Sequence, residues 1–240
     1  MTAQPRLDEG DAAAARPAAS GGLGGERAGA GGAVHVPWST AEVDAREQVE
    51  LRLGDAVRAL NDAAVRTEVE DDELALALQE IEAATTRLAA RARPGGFGIR
   101  YNGEGRTWAW GNAVVGARNA VAPPLRCRHE PDPTGGTVVR ADVVLGPVHE
   151  GGPGKVHGGV LAMLLDHLMG ETASGLERPT VTGTLTLRYV RPTALGPLRL
   201  EGRRTGTEGL KTFVTAAVLD DDGPTVEAEG VFLLPRWARG

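Results

Sequence analysis

The sequence predicts an α+β domain in its C-terminal half, an antiparallel sheet wrapped around one long helix, with a helical extension in front of it. Three observations predict this. One run, Gly158 to Ser174, is apolar on most of its faces and so reads as a buried helix. One β-rich run precedes it and four follow, each bounded by turn residues. Residues 39–93 instead carry apolar side chains at spacings of three and four, the helical period. A single helix among consecutive strands is an α+β pattern, not an alternating βα one.

Taken in order, residues 1–34 are rich in Ala and Gly and nearly free of large apolar side chains. Such a segment cannot bury enough surface to offset its ordering entropy, so a disordered tail is expected. Its Gly21–Gly32 stretch lacks the Lys-Ser/Thr that a phosphate-cradling loop requires. Residues 39–93 read as a helical hairpin, or as two helices whose apolar stripes pack on the domain or on a partner chain. Ser39 with Glu42 forms a capping box, and Val49, Leu53, Val57, Leu60 and Ala64 share one face. Leu74, Leu78, Ile81 and Leu88 form a second stripe. It has acids at its start (Glu70 to Glu73) and Arg87, Arg91 and Arg93 at its end, matching the helix dipole. Pro94-Gly95-Gly96 stops it. Residues 94–122 are irregular and read as a wrapping loop, anchored by Trp108 and Trp110 as core residues. The sheet domain is expected over 123–236. Its strands are Thr137–Leu145, Val181–Val190, Leu198–Arg204, Thr212–Leu219 and Thr225–Leu234.

Composition narrows the function. The 240 residues carry a formal net charge of −6, so no global basic field recruits nucleic acid or acidic lipid. The helical extension is itself acidic, which argues against a DNA-reading helix pair. Cys127 is the one cysteine and cannot form an internal disulfide, which fits a reducing compartment. No apolar h-region and no run of membrane-spanning length is seen, so a cytoplasmic protein is expected.

The chemistry is concentrated in Gly151-Gly-Pro-Gly-Lys-Val-His-Gly-Gly-Val-Leu-Ala-Met-Leu-Leu-Asp166. Gly158 and Gly159 fall where the long helix begins, and there backbone N–H groups are unpaired at the positive end of the dipole. Glycine lets a ligand oxygen approach that backbone, which makes an oxyanion site. Asp166 lies further along the same helix among Leu164, Leu165, Leu168 and Met169. A carboxylate there has either a purpose or a place on a narrow solvent stripe shared with His167 and Glu171, and physics alone leaves both open.

The segment from Glu150 to Gly159, with Asp166 nine positions after His157, resembles the PaaI-like hotdog-fold acyl-CoA thioesterases of the 4-hydroxybenzoyl-CoA thioesterase-like superfamily. The likeness continues through Tyr189-Val-Arg-Pro192 and Gly209-Leu-Lys-Thr-Phe213 and covers roughly half the chain. It implies a hotdog fold and hydrolysis of acyl-CoA to a free acid and CoA. By the same resemblance, Asp166 is the general base or nucleophile and the amides at Gly158 and Gly159 polarise the carbonyl. His157 positions the thioester and Thr182 orients the water. Some members carry an Asn six residues before the histidine, where this chain has Gly151. Arg191, Arg203 and Lys211 (with Arg204 beside them) are candidates for the CoA phosphates. Glu150 reads as a turn residue before a second base, and Cys127 as a strand cysteine before a nucleophile. The family implies no cofactor or metal, and a homodimer or a dimer of dimers. Two alternatives stand beside it. A hotdog hydratase would carry an Asp-x-Asn-Pro-x-His motif, which the chain lacks. A non-catalytic acyl-CoA-binding regulatory or scaffolding protein stays open.

Overall fold

The computed structural model describes residues 33–239, apart from 134, 176 and 177. The tail expected over 1–34 therefore lies almost wholly outside the described residues.

Helix α1 (Thr40–Arg66) starts where the capping box placed it. Ser39 Oγ accepts from the Glu42 N–H, and the Glu42 carboxylate accepts from the Ser39 N–H at 2.8 Å. Helix α2 (Asp71–Ala89) follows after a four-residue connection. Three two-residue strands, β1 (Val34–His35), β2 (Arg100–Tyr101) and β3 (Thr107–Trp108), form a small sheet in that order. The tryptophans are core anchors, as expected. Trp108 and Trp110 are buried with Val36, Val43 and Ala117, and Trp38 stacks on Trp108 at 6.2 Å between ring centroids. Arg100 sits 4.1 Å above the Phe97 ring at the border of this cluster.

The main sheet has six strands. They are β4 (Arg128–Pro131), β5 (Thr137–Leu145), β6 (Val181–Tyr189), β7 (Gly196–Glu208), β8 (Lys211–Asp220) and β9 (Gly223–Leu233). Their order across the sheet is β4-β5-β7-β8-β9-β6, and every pairing is antiparallel. The short edge strand β4 was not anticipated, because Arg-His-Glu-Pro carries no apolar alternation. Helix α3 (Gly158–Ala173) lies on one face of this sheet. Leu161, Leu164, Leu165, Leu168 and Met169 meet Val139, Ala141, Leu198, Leu200, Val214, Val218 and Phe232 in one continuous core.

Two strand glycines let the helix approach so closely. A Cβ at Gly202 would stand 2.6 Å from Thr172 Oγ1, and one at Gly230 would stand 2.7 Å from Met169 Cε. The result is the hotdog arrangement of a sheet curled round one helix.

Against its other neighbours the helical extension behaves differently from expectation. The side of α1 that is buried is Val43, Glu50 and Gly54, whereas Val49, Leu53 and Leu60 of its apolar stripe are exposed. Docking rests on Val43 in the tryptophan cluster, on polar pairs and on close approach. Glu50 accepts from Arg118 at 2.9 Å and from Arg46 at 3.1 Å, and Glu47 accepts from Trp110 Nε1 at 3.2 Å. A Cβ at Gly54 would fall 2.1 Å from the Ala117 carbonyl oxygen, so only glycine fits there.

Candidate active site

The turn that leads into α3 is built from its own backbone. The Gly151 N–H donates to Lys155 O at 2.9 Å and the Lys155 N–H to Gly152 O at 2.8 Å, while Gly154 takes φ +67°. The Glu150 carboxylate accepts from the Gly154 N–H at 2.5 Å, so it closes the turn. A side chain at Gly151 would meet His157, with its Cβ 2.8 Å from the His157 Cα and 3.1 Å from Cδ2. The Asn found here in some family members therefore has no room with this backbone; the histidine ring fills the space.

His157 is the N-cap of α3, and its Nδ1 accepts from the Gly159 N–H at 3.0 Å. On the other side of the same peptide unit, the Tyr189 hydroxyl donates to the Gly158 carbonyl at 2.9 Å. The peptide between Gly158 and Gly159 is thus gripped at both ends by side chains. Among the described residues, no hydrogen bond engages the N–H of Gly158. Of the two glycine amides expected to face a carbonyl, one is occupied by His157 and the other stays available at the helix N-terminus. A Cβ at Gly158 would lie 3.2 Å from the Tyr189 ring, which keeps this position small.

Asp166 is half-buried on α3, two turns further on. Its Oδ1 accepts from Thr182 Oγ1 at 2.8 Å. Thr182 sits beside a register shift between Thr182 and Thr184 in β6, which changes the face that the following residues present. β6 is an edge strand, and Val181, Thr182, Thr184, Thr186 and Tyr189 are all exposed. His167, the next residue of α3, has its pKa pushed down by burial, against the pull of Glu171 and Asp166.

His157, Gly158, Gly159, Asp166 and Thr182 therefore belong to α3 and the strand beside it. The cations lie elsewhere. Arg191 donates to Asp220 at 2.7 Å and to the Gly223 carbonyl at 3.0 Å, and its hydrogen bonds hold Asp220 below the usual carboxylate range. Arg203 donates to Asp132 at 2.6 Å and Glu201 at 3.3 Å. Arg204 caps the end of α3 through the Thr172 and Ala173 carbonyls. Lys211 is exposed at the start of β8 and forms no ion pair among the described residues. Burial pushes the Cys127 thiol up to about 12, with Glu171 adding to it, so it is not a thiolate near neutral pH. No local spacing gives Tyr189 a role, because its partner Gly158 is 31 residues away.

Comparison with known proteins bears on the fold and the family. The family model described as thioesterase superfamily matches residues 153–227. Among curated proteins, acyl-coenzyme A thioesterase THEM4 of Xenopus laevis is 32% identical over 89 residues, which are 37% of this chain and 40% of that protein. The chain therefore spans less than half the length of that relative. Among solved structures, the thioesterase superfamily protein RHA08564 is 33% identical with a TM-score of 0.65, over 77% of this chain and 90% of the other. With its six-stranded sheet, its buried α3 and this match along most of both chains, the protein belongs to the thioesterase superfamily.

Proposed function

We propose that this protein hydrolyses acyl-CoA thioesters to a free acid and CoA, at a site shared between two copies of the chain. The observation that carries the proposal is the carboxylate of Asp166, on a helix α3 whose first amide is unoccupied, tied by Thr182 to the exposed edge strand β6. A thioester carbonyl oxygen at the Gly158 N–H gains a donor aimed at the charge that develops on it. Asp166 then acts as general base towards water, or attacks the carbonyl carbon itself. Its bond to Thr182 fixes the carboxylate orientation, and the Thr182 hydroxyl is placed to help order the water. His157 and Tyr189 hold the peptide next to the donor.

One helix cannot supply both groups to one substrate. Gly158 and Asp166 are eight residues apart, about 12 Å along the axis. The side chain recovers only part of that, and the attacking atom must stand near the carbon whose oxygen is about 3 Å from the donor. A second α3, related by a two-fold axis, brings its Asp166 to the first chain's Gly158. The edge strand β6 supports this, since it presents unpaired backbone next to Thr182 and Tyr189. The name of the Xenopus relative supports acyl-CoA as the substrate. For the CoA phosphates, Arg191 and Arg203 must exchange an acid of their own chain for a phosphate, whereas Lys211 need not. A cytoplasmic location is part of this reading, since the lone Cys127 cannot form an internal disulfide.

Thiol release from short, medium, long and aromatic acyl-CoAs tests the activity. Asp166→Asn, nearly isosteric, is expected to keep the fold and lose about 10²–10⁴-fold in turnover. Near wild-type hydrolysis by a folded Asp166→Asn protein would remove Asp166 from the mechanism. Absence of hydrolysis by the wild type with every acyl-CoA, together with tight binding of one, would favour the non-catalytic acyl-CoA-binding role.

A further inference from the structure

Helix α2 has no buried residue, yet it is rich in leucine. Leu74 is 43% exposed, Leu78 54%, Ile81 39% and Leu88 57%. With Thr85 they recur at alternating spacings of four and three, the seam of a helix made to pair with another helix. Ala75, Ala77, Ala84 and Ala89 flank that seam, so a partner backbone can come close. Contiguous exposed apolar surface of this kind marks an interaction site.

We propose that α2 pairs antiparallel with α2 of a second copy of this chain. The charge distribution selects both occupant and direction. The helix opens with Glu70, Asp71, Asp72 and Glu73 and closes with Arg87, with Arg91 just beyond. A parallel pair sets four acids against four acids. An antiparallel pair brings each acidic end beside Arg91 of the other chain, twice over, and such exposed pairings choose orientation more than strength. One repulsion opposes it, since Glu82 meets its own copy beside the dyad. Apolar burial supplies the strength. A dyad near residue 83 pairs Leu78 with Leu88 and Ile81 with Thr85 of the other chain. Shifting by one heptad would bury Asp71 against Leu88, which disfavours that register. A membrane surface is a poorer occupant. Within Asp71–Ala89 there are five acidic residues and one basic, the wrong sign for anionic lipid.

Cysteine cross-linking of the full chain tests this pairing directly. In a Cys127→Ser background, the double variant L78C/L88C is compared with each single variant and with L76C/L88C. Leu76 lies on the opposite face of α2 and is equally exposed, at 55%, so none of these changes touches a packed core. Positions 78 and 88 are about 15 Å apart within one helix, and so are the two copies of position 78 across the dyad. Under mild oxidation L78C/L88C is expected to give a covalent dimer at several times the yield of either single variant. The L76C/L88C control should stay at the single-variant level. A yield for L78C/L88C no higher than for L76C/L88C would overturn the pairing, and efficient cross-linking of L78C alone would overturn its direction.

Discussion

Helices α3 and α2 have 16 and 19 residues and both are rich in leucine, but every leucine of α3 is buried and every leucine of α2 is exposed. Both stripes look alike in the sequence. α3 differs in being apolar on most of its faces, so a sheet can close round it, whereas α2 keeps one narrow seam and an acidic remainder. An apolar period says that a face will be covered; it does not say by what. Helix α1 makes the same point from the other side. It is fastened to the protein by Val43, Glu50, Gly54 and Glu47, while its apolar stripe faces outward.

The comparison can be broken by truncating one leucine in each helix. Leu164→Ala removes a fully buried side chain among the core strands and is expected to cost about 2–5 kcal/mol. Leu76→Ala in α2 should stay within about 0.5 kcal/mol. Chemical denaturation monitored by circular dichroism separates the two, and equal losses would mean that the face of α2 opposite the proposed seam is covered as well.

A smaller effect is expected where α1 docks. Glu50→Ala leaves Arg118 facing a pocket without its carboxylate, at a cost of about 1–3 kcal/mol, reduced because that arginine is part-exposed. Burial alone would raise the Glu50 pKa, but the bonds from Arg118 and Arg46 outweigh it and hold it below 4.5. A lowered folded-state pKa contributes stability above the ordinary value, and this is lost as pH falls through the lowered one. Melting temperature should therefore decline more steeply below pH 4.5 in the wild type than in Glu50→Gln. Parallel curves would deny Glu50 that role.

The smallest change concerns the site. Thr182→Val removes one hydrogen bond to Asp166, about 0.5–1.5 kcal/mol, so kcat should fall about two- to tenfold with KM similar. An unchanged kcat would leave Thr182 an ordinary strand residue.

The hotdog domain was largely legible in the sequence because its signals are local. The valines of 137–145 give β5 to the residue, and the turn glycines bound the later strands within a few positions. The edge strand β4 was not legible, since it is held by pairing to β5 and not by its own pattern. In the site, the spacing from His157 to Asp166 could be read along one helix. The grip of Tyr189 on Gly158, and the acids that hold Arg191 and Arg203, depend on strand register across 29 to 71 residues. No local spacing encodes such contacts. The face by which α1 docks was not legible, because Val43, Glu50 and Gly54 lie off its apolar stripe and two of the three are a buried acid and a glycine.

Complementation between two inactive chains tests the shared site most directly. Asp166→Asn removes the carboxylate, and Gly158→Pro removes the free N–H at a helix position that accepts proline after an extended His157 (φ −63°, ψ 131°). The added ring atoms press on Tyr189, whose exposed ring can swing aside, and circular dichroism of each variant checks that it folds. Mixed in equal amounts after subunit exchange, about half the dimers contain one of each, with one doubly broken site and one intact site. Thiol release should return to about a quarter of the wild-type rate. A mixture that exchanges subunits, verified by mass, and stays as inactive as its parents would contradict a site shared between two chains.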